Sequence, residues 1–278
     1  MALSPSQTRD LLASLDHHPR KRLGQNFLID GNIVRKSLHL AVIRKGDLVV
    51  EIGPGLGTLT RALLEAGSFV HAVEVDPVLS AHLRETLQPE FGEKLHLIEG
   101  DAVKSPRGQI PAGTTDFKVV ANLPYAITTP WLEAVLQPPL PSQMVLMMQK
   151  EAAARITAQP GSKAYGAISI FIAAAYEKAG VHHVSRSCFH PIPGVDSILL
   201  HLQRRQNPIV ISREARDLIR RLFTQRRKQI GRQLAKEPVL QEWLERLPEF
   251  GASRSSRPED IPLTAWLHLQ DVLREPSG

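Results

Sequence analysis

The sequence predicts an α/β fold, a nucleotide-binding sheet followed by a small basic helical domain, and three observations carry that prediction. Residues 47–76 read as strand, glycine-dense bend, helix and second strand, the opening unit of such a sheet. Acidic side chains stand where successive apolar runs end, at Glu74 and Asp101. After Gln203 the composition turns basic, with eleven Lys or Arg between Arg204 and Lys236 against only Glu214 and Asp217.

Bulk properties narrow the function classes. A chain of 278 residues can hold one large domain and a small one. It is 42% hydrophobic but has no uninterrupted apolar stretch long enough to cross a bilayer, so no membrane role is expected. The net charge of +6 favours a polyanionic partner, most simply nucleic acid. A lone Cys188 excludes an intrachain disulfide and fits a reducing compartment. Met1 to Leu23 lacks an apolar core with a cleavage site, so no secretory signal is expected, and Asp10 and Asp16 count against a transit peptide.

In chain order, residues 1–19 read as a polar tail with a short helix around Leu11–Leu15. The cluster Arg20-Lys21-Arg22 then precedes Leu23-Gly24-Gln25-Asn26-Phe27-Leu28-Ile29-Asp30. Charge beside an exposed aromatic suits a nucleic-acid surface; equally, Phe27 and Leu28 can anchor the tail to the domain. Residues 32–43 read as a helix. Leu48-Val49-Val50 leads into Glu51-Ile52-Gly53-Pro54-Gly55-Leu56-Gly57, a helix follows over Leu59–Ala66, and Phe69–Val73 reaches Glu74. Glycines let a ligand approach the backbone, and an acid at the end of the second strand accepts hydrogen bonds from ribose hydroxyls. An adenosine-containing cofactor is therefore expected. A dinucleotide fingerprint requires its third glycine where Thr58 stands, and no Gly-Lys-Ser/Thr completes a phosphate-binding loop. S-adenosylmethionine, without a pyrophosphate, makes neither demand, and a plain glycine turn is the bland alternative.

A helix is expected from Pro77 to about Leu87, a third strand over Lys94–Ile98 and loop over Lys104–Asp116. Asp101, past the third strand, either accepts from an adenine amino group or caps a helix. Phe117–Ala121 is the fourth strand and delivers Asn122-Leu123-Pro124-Tyr125. Methyl transfer to the exocyclic amine of adenine needs two acceptors that hold its hydrogens and turn the lone pair toward the donor. The Asn122 side-chain oxygen and the Leu123 carbonyl supply such a pair, proline fixes the backbone without adding a donor, and Tyr125 can stack on an extruded base. A turn after a strand is the structural alternative.

Thr128–Leu136 reads as a helix, Met144–Met148 as a core strand, Glu151–Ile156 as the start of a helix and Gln159–Gly166 as a loop. Ala167–Ala179 is apolar at helical spacing, and strands follow near Val181–Ser187 and at Leu199–Leu202. Phe189, in a proline-containing loop, is a candidate second face of a stacking sandwich. His182, His183 and His190 lack companion ligands at diagnostic spacing, so no metal is expected. In the basic segment, Leu218, Ile219, Leu222 and Phe223 form an apolar stripe opposite Arg213, Arg216, Arg220 and Arg227, with Thr224-Gln225-Arg226-Arg227-Lys228 its densest charge. Phosphate contact is the preferred reading. Trp243 and Trp266 are expected in a small helical core.

These motifs together resemble the ribosomal RNA adenine N6-dimethyltransferase family, most closely its bacterial small-subunit (16S) branch, over nearly the whole chain. The most specific pieces are Gly24-Gln25-Asn26-Phe27-Leu28, Glu51-Ile52-Gly53-Pro54-Gly55, Asn122-Leu123-Pro124-Tyr125, Ser162-Lys163-Ala164-Tyr165-Gly166, Val195-Asp196-Ser197 and Gln225-Arg226-Arg227-Lys228. The resemblance implies a class I S-adenosylmethionine-dependent methyltransferase: a Rossmann-like, seven-stranded mixed sheet with one antiparallel strand, then a small all-helical domain. It implies an arm over 1–30 that contributes to the site, a catalytic domain over 31–203 and a basic RNA-binding domain over 204–278. Cofactor contacts would fall on Asn26, Leu28, Gly53, Gly55, Glu74, Asp101 and Asn122. The target adenine would meet Asn122, Leu123, Pro124 and Tyr125 with Phe189 opposite, and RNA would meet Arg20, Lys21, Arg22, Arg220, Arg221, Arg226, Arg227 and Lys228. The implied activity is dimethylation of two adjacent adenines near the 3′ end of 16S rRNA, in a cytoplasmic small-subunit assembly intermediate, with S-adenosylhomocysteine as by-product and the enzyme a monomer.

Two departures stand out, Gly194 and Gly231, where family members often carry a cation. The alternatives are a large-subunit rRNA adenine dimethyltransferase, which the Ser162–Gly166 loop and basic C-terminal domain disfavour; a non-catalytic assembly factor, which the intact tetrapeptide disfavours; and a nicotinamide dehydrogenase, which explains neither tetrapeptide nor basic domain.

Overall fold

A computed structural model describes residues 3–20 and 23–274. The chain opens with helix α1 (Pro5–Ser14), whose Ser4 hydroxyl accepts from the Gln7 N–H at 3.2 Å while the Gln7 side chain accepts from the Ser4 N–H at 2.8 Å. The short helix expected at Leu11–Leu15 is thus the end of a longer one. Strand β1 (Phe27–Leu28) and helix α2 (Gly31–Leu40), capped by Asp30, precede β2 (Leu48–Ile52), α3 (Thr58–Glu65) and β3 (Phe69–Glu74). Next come α4 (Pro77–Thr86), capped by Asp76 with proline in its first turn, the single turn α5 (Gln88–Phe91) and β4 (Leu95–Glu99). Then follow β5 (Lys118–Asn122), α6 (Thr128–Val135), β6 (Gln143–Gln149) and α7 (Lys150–Ile156).

Helix α8 (Ala167–Ala175) gives way at Tyr176 to β7 (Tyr176–Val184), earlier than the apolar run to Ala179 suggests. The short β8 (Phe189–His190) and β9 (Ser197–Arg204) complete the strands. Seven strands form one sheet in the order β4-β3-β2-β5-β6-β9-β7, and β1 pairs antiparallel with β8. Strands β2 to β6 run parallel, while β9 lies antiparallel to β6. The chain crosses from one half of the sheet to the other between β2 and β5. Their carboxyl ends therefore diverge and leave a crevice, where α/β sheets bind ligands. The inner strands are buried on both faces; Val49, Val50, Val70, Ala72, Val119 and Val145 are fully inaccessible.

Cα packing divides the chain into two units, residues 1–153 with 178–204, and residues 154–177 with 205–278. The helical unit therefore draws in 154–177, a segment expected from the sequence in the catalytic domain. The cause is α8: it is apolar nearly all round, and packs on α9 (Arg213–Thr224) and on α12 (Leu263–Arg274), helices that follow Gln203. Between these two lie the short α10 (Ile230–Gln233) and α11 (Gln241–Arg246). The core of this unit is an aromatic row, Tyr165 against Phe223, Phe223 against Trp266, and Trp266 against Trp243 with ring centroids 5.6 Å apart. Each buried polar tip has an acceptor: the indole N–H of Trp243 donates to the Ala265 carbonyl at 2.8 Å and that of Trp266 to the Ile261 carbonyl at 3.2 Å. In the sheet unit Trp131 is equally buried, its N–H donating to the Pro106 carbonyl at 3.0 Å.

Candidate active site

In the first unit the ends of β2, β3, β4 and β5, together with residues 23–28 of the N-terminal arm, enclose a cavity of about 280 Å³. Its floor is the bend after β2. A Cβ on Gly53 (φ 67°) would stand 3.2 Å from the Pro124 ring, and one on Gly55 (φ 60°) 3.1 Å from the Phe27 ring. Any side chain would therefore be strained and would push away the tetrapeptide or the arm.

Glu74 ends β3 with 4% exposure. Its Oε2 accepts from the Gly55 N–H at 3.0 Å and its Oε1 from the Asp76 N–H at 2.9 Å, so both oxygens are aimed and each keeps a lone pair. Burial pushes this carboxyl up from its ordinary value, opposed by the two backbone N–H groups. Asp101, exposed just past β4, lines the cavity and also accepts from the Val103 N–H at 2.8 Å. It thus caps a turn where a helix cap is the structural alternative, and its place on the cavity wall leaves the adenine-acceptor reading open.

Asn122 ends β5, and its Nδ2 donates to the Asn26 main-chain carbonyl at 3.0 Å. A carbonyl only accepts, which fixes the amide orientation and leaves Oδ1 without a donor among the described residues. The Leu123 N–H is tied to the Met147 carbonyl at 3.0 Å, anchoring the tetrapeptide to β6, while the Leu123 carbonyl likewise has no described donor. Tyr125 shares a 3.0 Å hydrogen bond with the Ser197 hydroxyl, and burial pushes its phenol up, so it stays protonated at neutral pH. Asn26 and Leu28 complete the wall. Phe27, 7% exposed and packed with Leu12, Leu56 and Leu79, anchors the arm and offers no exposed ring.

Phe189 is not brought to the cavity. The β1–β8 register sets it opposite Leu28, and it packs at 1% exposure in the core with Val184 and Leu199. A residue that sequence reasoning misses is Glu51, although an acid in the middle of the apolar β2 run is a signal that marks it. It lines the cavity at 2% exposure with Oε2 unpartnered. Burial pushes its carboxyl up to about 8, with the Thr60 hydroxyl opposing and the Glu74 carboxylate adding to the rise. A buried, aimed carboxylate, a bare glycine floor and an orphaned acid oxygen fit an adenosine-bearing cation.

Of the basic residues, Arg20 pairs with Asp76 at 3.5 Å, and Lys21 and Arg22 lie outside the described residues. In the helical unit, α9 stops at Thr224, so the Gln225–Lys228 cluster follows the helix and does not belong to it. Arg216, expected on a face away from the apolar stripe, is 5% exposed with its guanidinium stacked on the Phe171 ring. Arg220 pairs with Asp217 at 2.7 Å, Arg221 with Glu237 at 2.7 Å, and Arg226 with Glu259. Arg227 and Lys228 are exposed on a separate cleft of about 840 Å³ that also presents Arg232 and Arg257. Among the described residues no three His, Cys, Asp or Glu side chains gather to hold a metal ion, and no helix is long and apolar enough to cross a membrane.

The sequence profile described as ribosomal RNA adenine dimethylase matches residues 16–247. The chain is 58% identical over 274 residues to ribosomal RNA small subunit methyltransferase A of Opitutus terrae, covering 97% of this chain and 99% of that protein. It is 42% identical to the protein of the same name from Moorella thermoacetica, over 82% of each. Among solved structures it resembles a dimethyladenosine transferase from Plasmodium falciparum (TM-score 0.70, 25% identity, 87% of this chain and 95% of that one). It also resembles the 23S rRNA methyltransferase ErmE (TM-score 0.65, 25% identity, 90% and 100%). The crevice at the sheet's switch point, the acid-tipped strands and these matches lead to one conclusion: the chain belongs to the ribosomal RNA adenine dimethylase family and is an S-adenosylmethionine-dependent rRNA adenine N6-dimethyltransferase.

Proposed function

We propose that this enzyme dimethylates two adjacent adenines near the 3′ end of 16S rRNA, on a small-subunit assembly intermediate in the cytoplasm, acting as a monomer. The carrying observation is the pair of unfilled acceptors, Asn122 Oδ1 and the Leu123 carbonyl, at the edge of the cavity. The small-subunit assignment is supported by the relatives that bear that name.

When bound, S-adenosylmethionine supplies a methyl group on a sulfonium that loses its charge on transfer. In this reading Glu74 receives the ribose hydroxyls, Asp101 the adenine edge, and Gly53 and Gly55 the close backbone approach. Asn26, Leu28 and Asn122 wall the remainder. The Asn122 and Leu123 oxygens hold the hydrogens of the target amine and direct its lone pair, and Tyr125 stacks on the extruded base. With Phe189 packed in the core, stacking falls to Tyr125. Catalysis is by positioning, and the released proton passes to solvent. Arg227 and Lys228 on the basic cleft hold RNA phosphates, with the residues after Gln203 and 154–177 as the RNA-binding domain; Arg20 is held by Asp76 instead.

The test is methyl transfer from labelled S-adenosylmethionine to small-subunit particles lacking their terminal adenine methylation, in parallel with large-subunit RNA, followed by nucleoside analysis. N6,N6-dimethyladenosine at two neighbouring small-subunit adenines, lost in Asn122→Ala, is the expected result. Label confined to large-subunit RNA would overturn the target assignment, and particle binding without label would leave an assembly factor.

A further inference from the structure

Asp76 stands two residues beyond Glu74, at 0% exposure, and is an unusual helix cap. A cap needs one oxygen, and Oδ1 performs that task by accepting from the Val78 N–H at 3.1 Å. The second oxygen is devoted to the N-terminal arm. Oδ2 accepts from His17 Nε2 at 3.0 Å and from Gln25 Nε2 at 3.0 Å, and pairs with the Arg20 guanidinium at 3.5 Å. The arm is braced within itself as well, since the Arg20 N–H donates to Gln25 Oε1 at 2.7 Å. A carboxylate this buried is costly unless its lone pairs are filled, and here most of the filling comes from the arm.

The same residue reaches the cavity through Glu74, which lines it. Its N–H is one of the two donors that aim the Glu74 carboxylate. Gln25 closes the circuit, since it both binds Asp76 and lines the cavity. The arm supplies further wall at Leu23, Gly24 and Asn26, and a Cβ on Gly24 would stand 3.1 Å from the Tyr125 nitrogen. An arm so seated touches both ends of the site. It also walls the cavity that, in the reading above, cofactor enters and product leaves between successive transfers.

We infer that Asp76 is a positioning residue that couples closure of the N-terminal arm to cofactor binding: the closed arm, latched through His17 and Gln25, raises affinity, and the bound cofactor in turn holds the arm shut. The reciprocity is thermodynamic, since a ligand that contacts the arm only when closed shifts the arm toward closure by the same factor that closure adds to its affinity. The inference rests on the reading of the cavity as the cofactor site, but its test needs neither RNA nor turnover.

The experiment follows amide hydrogen exchange of peptides from residues 5–19, with and without S-adenosylhomocysteine, and measures the affinity of that ligand by calorimetry. In the unaltered protein, saturating ligand is expected to slow exchange in the arm by about tenfold or more. His17→Leu removes an arm donor while leaving the Asp76 cap of α4 intact. It should speed arm exchange, weaken the ligand by about tenfold and reduce the protection that ligand confers. His17→Gln, which restores a donor at similar reach, should recover affinity. In turnover, His17→Leu should raise KM for the cofactor with kcat unchanged at saturation. Asp76→Asn should act in the same direction and more strongly; should it fail to fold, His17→Leu alone carries the test. The inference is overturned if ligand leaves arm exchange in the unaltered protein unchanged. It is equally overturned if His17→Leu loosens the arm yet binds S-adenosylhomocysteine as before, because the contact would then be a staple only.

Discussion

Glu51 ties cavity chemistry to stability through a sign that can be worked out. Below pH about 4.5 its carboxyl is protonated in folded and unfolded chains alike, and it leaves stability independent of pH there. Between that value and about 8 the unfolded chain releases the proton while the folded one retains it, so stability falls as pH rises. At neutral pH the loss is on the order of 3 kcal/mol. Glu51→Gln cannot ionise; urea unfolding should therefore find it close to the unaltered protein at pH 4.5 and clearly more stable at pH 8. Equal gaps at the two pH values would contradict the buried-acid account. The two glycine departures separate just as cleanly. A Cβ on Gly231 would lie 2.8 Å from the Arg254 carbonyl oxygen, the same oxygen that accepts the Gly231 N–H at 2.9 Å. Gly231→Arg should therefore cost about 1–3 kcal/mol through that clash. A Cβ on Gly194 meets nothing within 4 Å, and Gly194→Lys should leave stability within about 0.5 kcal/mol. Paired thermal melts of the two variants check both.

At the scale of elements, α1 is the part of the arm that carries its own stabilising signal. Ser4→Ala removes half of the capping box and should weaken the helix by about 1 kcal/mol, read as faster amide exchange over residues 5–14. That signature, Ser4-Pro5-Ser6-Gln7, is local and legible in the sequence, whereas the leucines alone point only to the end of the helix. The sheet is the most legible part, because β2 to β6 are short apolar runs whose ends coincide with Glu74, Asp101 and Asn122. What escapes sequence reasoning depends on partners distant in the chain. Burial of Phe189 is set by pairing with Leu28, and the engagement of Arg226 by Glu259; neither leaves a trace in local spacing. Helical periodicity likewise runs past Ala175, because sheet pairing of β7 overrides it. Arg226→Ala should accordingly lower the stability of the helical unit, by leaving Glu259 unpaired, more than it lowers RNA affinity. Denaturation and RNA titration of the same variant separate the two effects.

For the molecule as a whole, charge and chemistry are divided between the two units. The described residues that line the cavity belong to the first, whereas Arg227 and Lys228 belong to the second. Replacing both cations with Ala should lower the slope of log affinity for rRNA against log salt by about 1.4–1.8, at roughly 0.7–0.9 for each phosphate no longer neutralised. Affinity for S-adenosylhomocysteine, measured alongside, should not change. The division also reaches the indoles, with Trp131 in the sheet unit and Trp243 and Trp266 in the helical one. Two indoles with centroids 5.6 Å apart and planes inclined by 31° have transition dipoles close enough to share excitation. The helical unit thus carries an unlabelled optical signature, a circular dichroism couplet from an indole pair that vanishes as soon as the rings part. Trp131, in the sheet unit, adds no couplet, so loss of the couplet follows the melting of the helical unit alone.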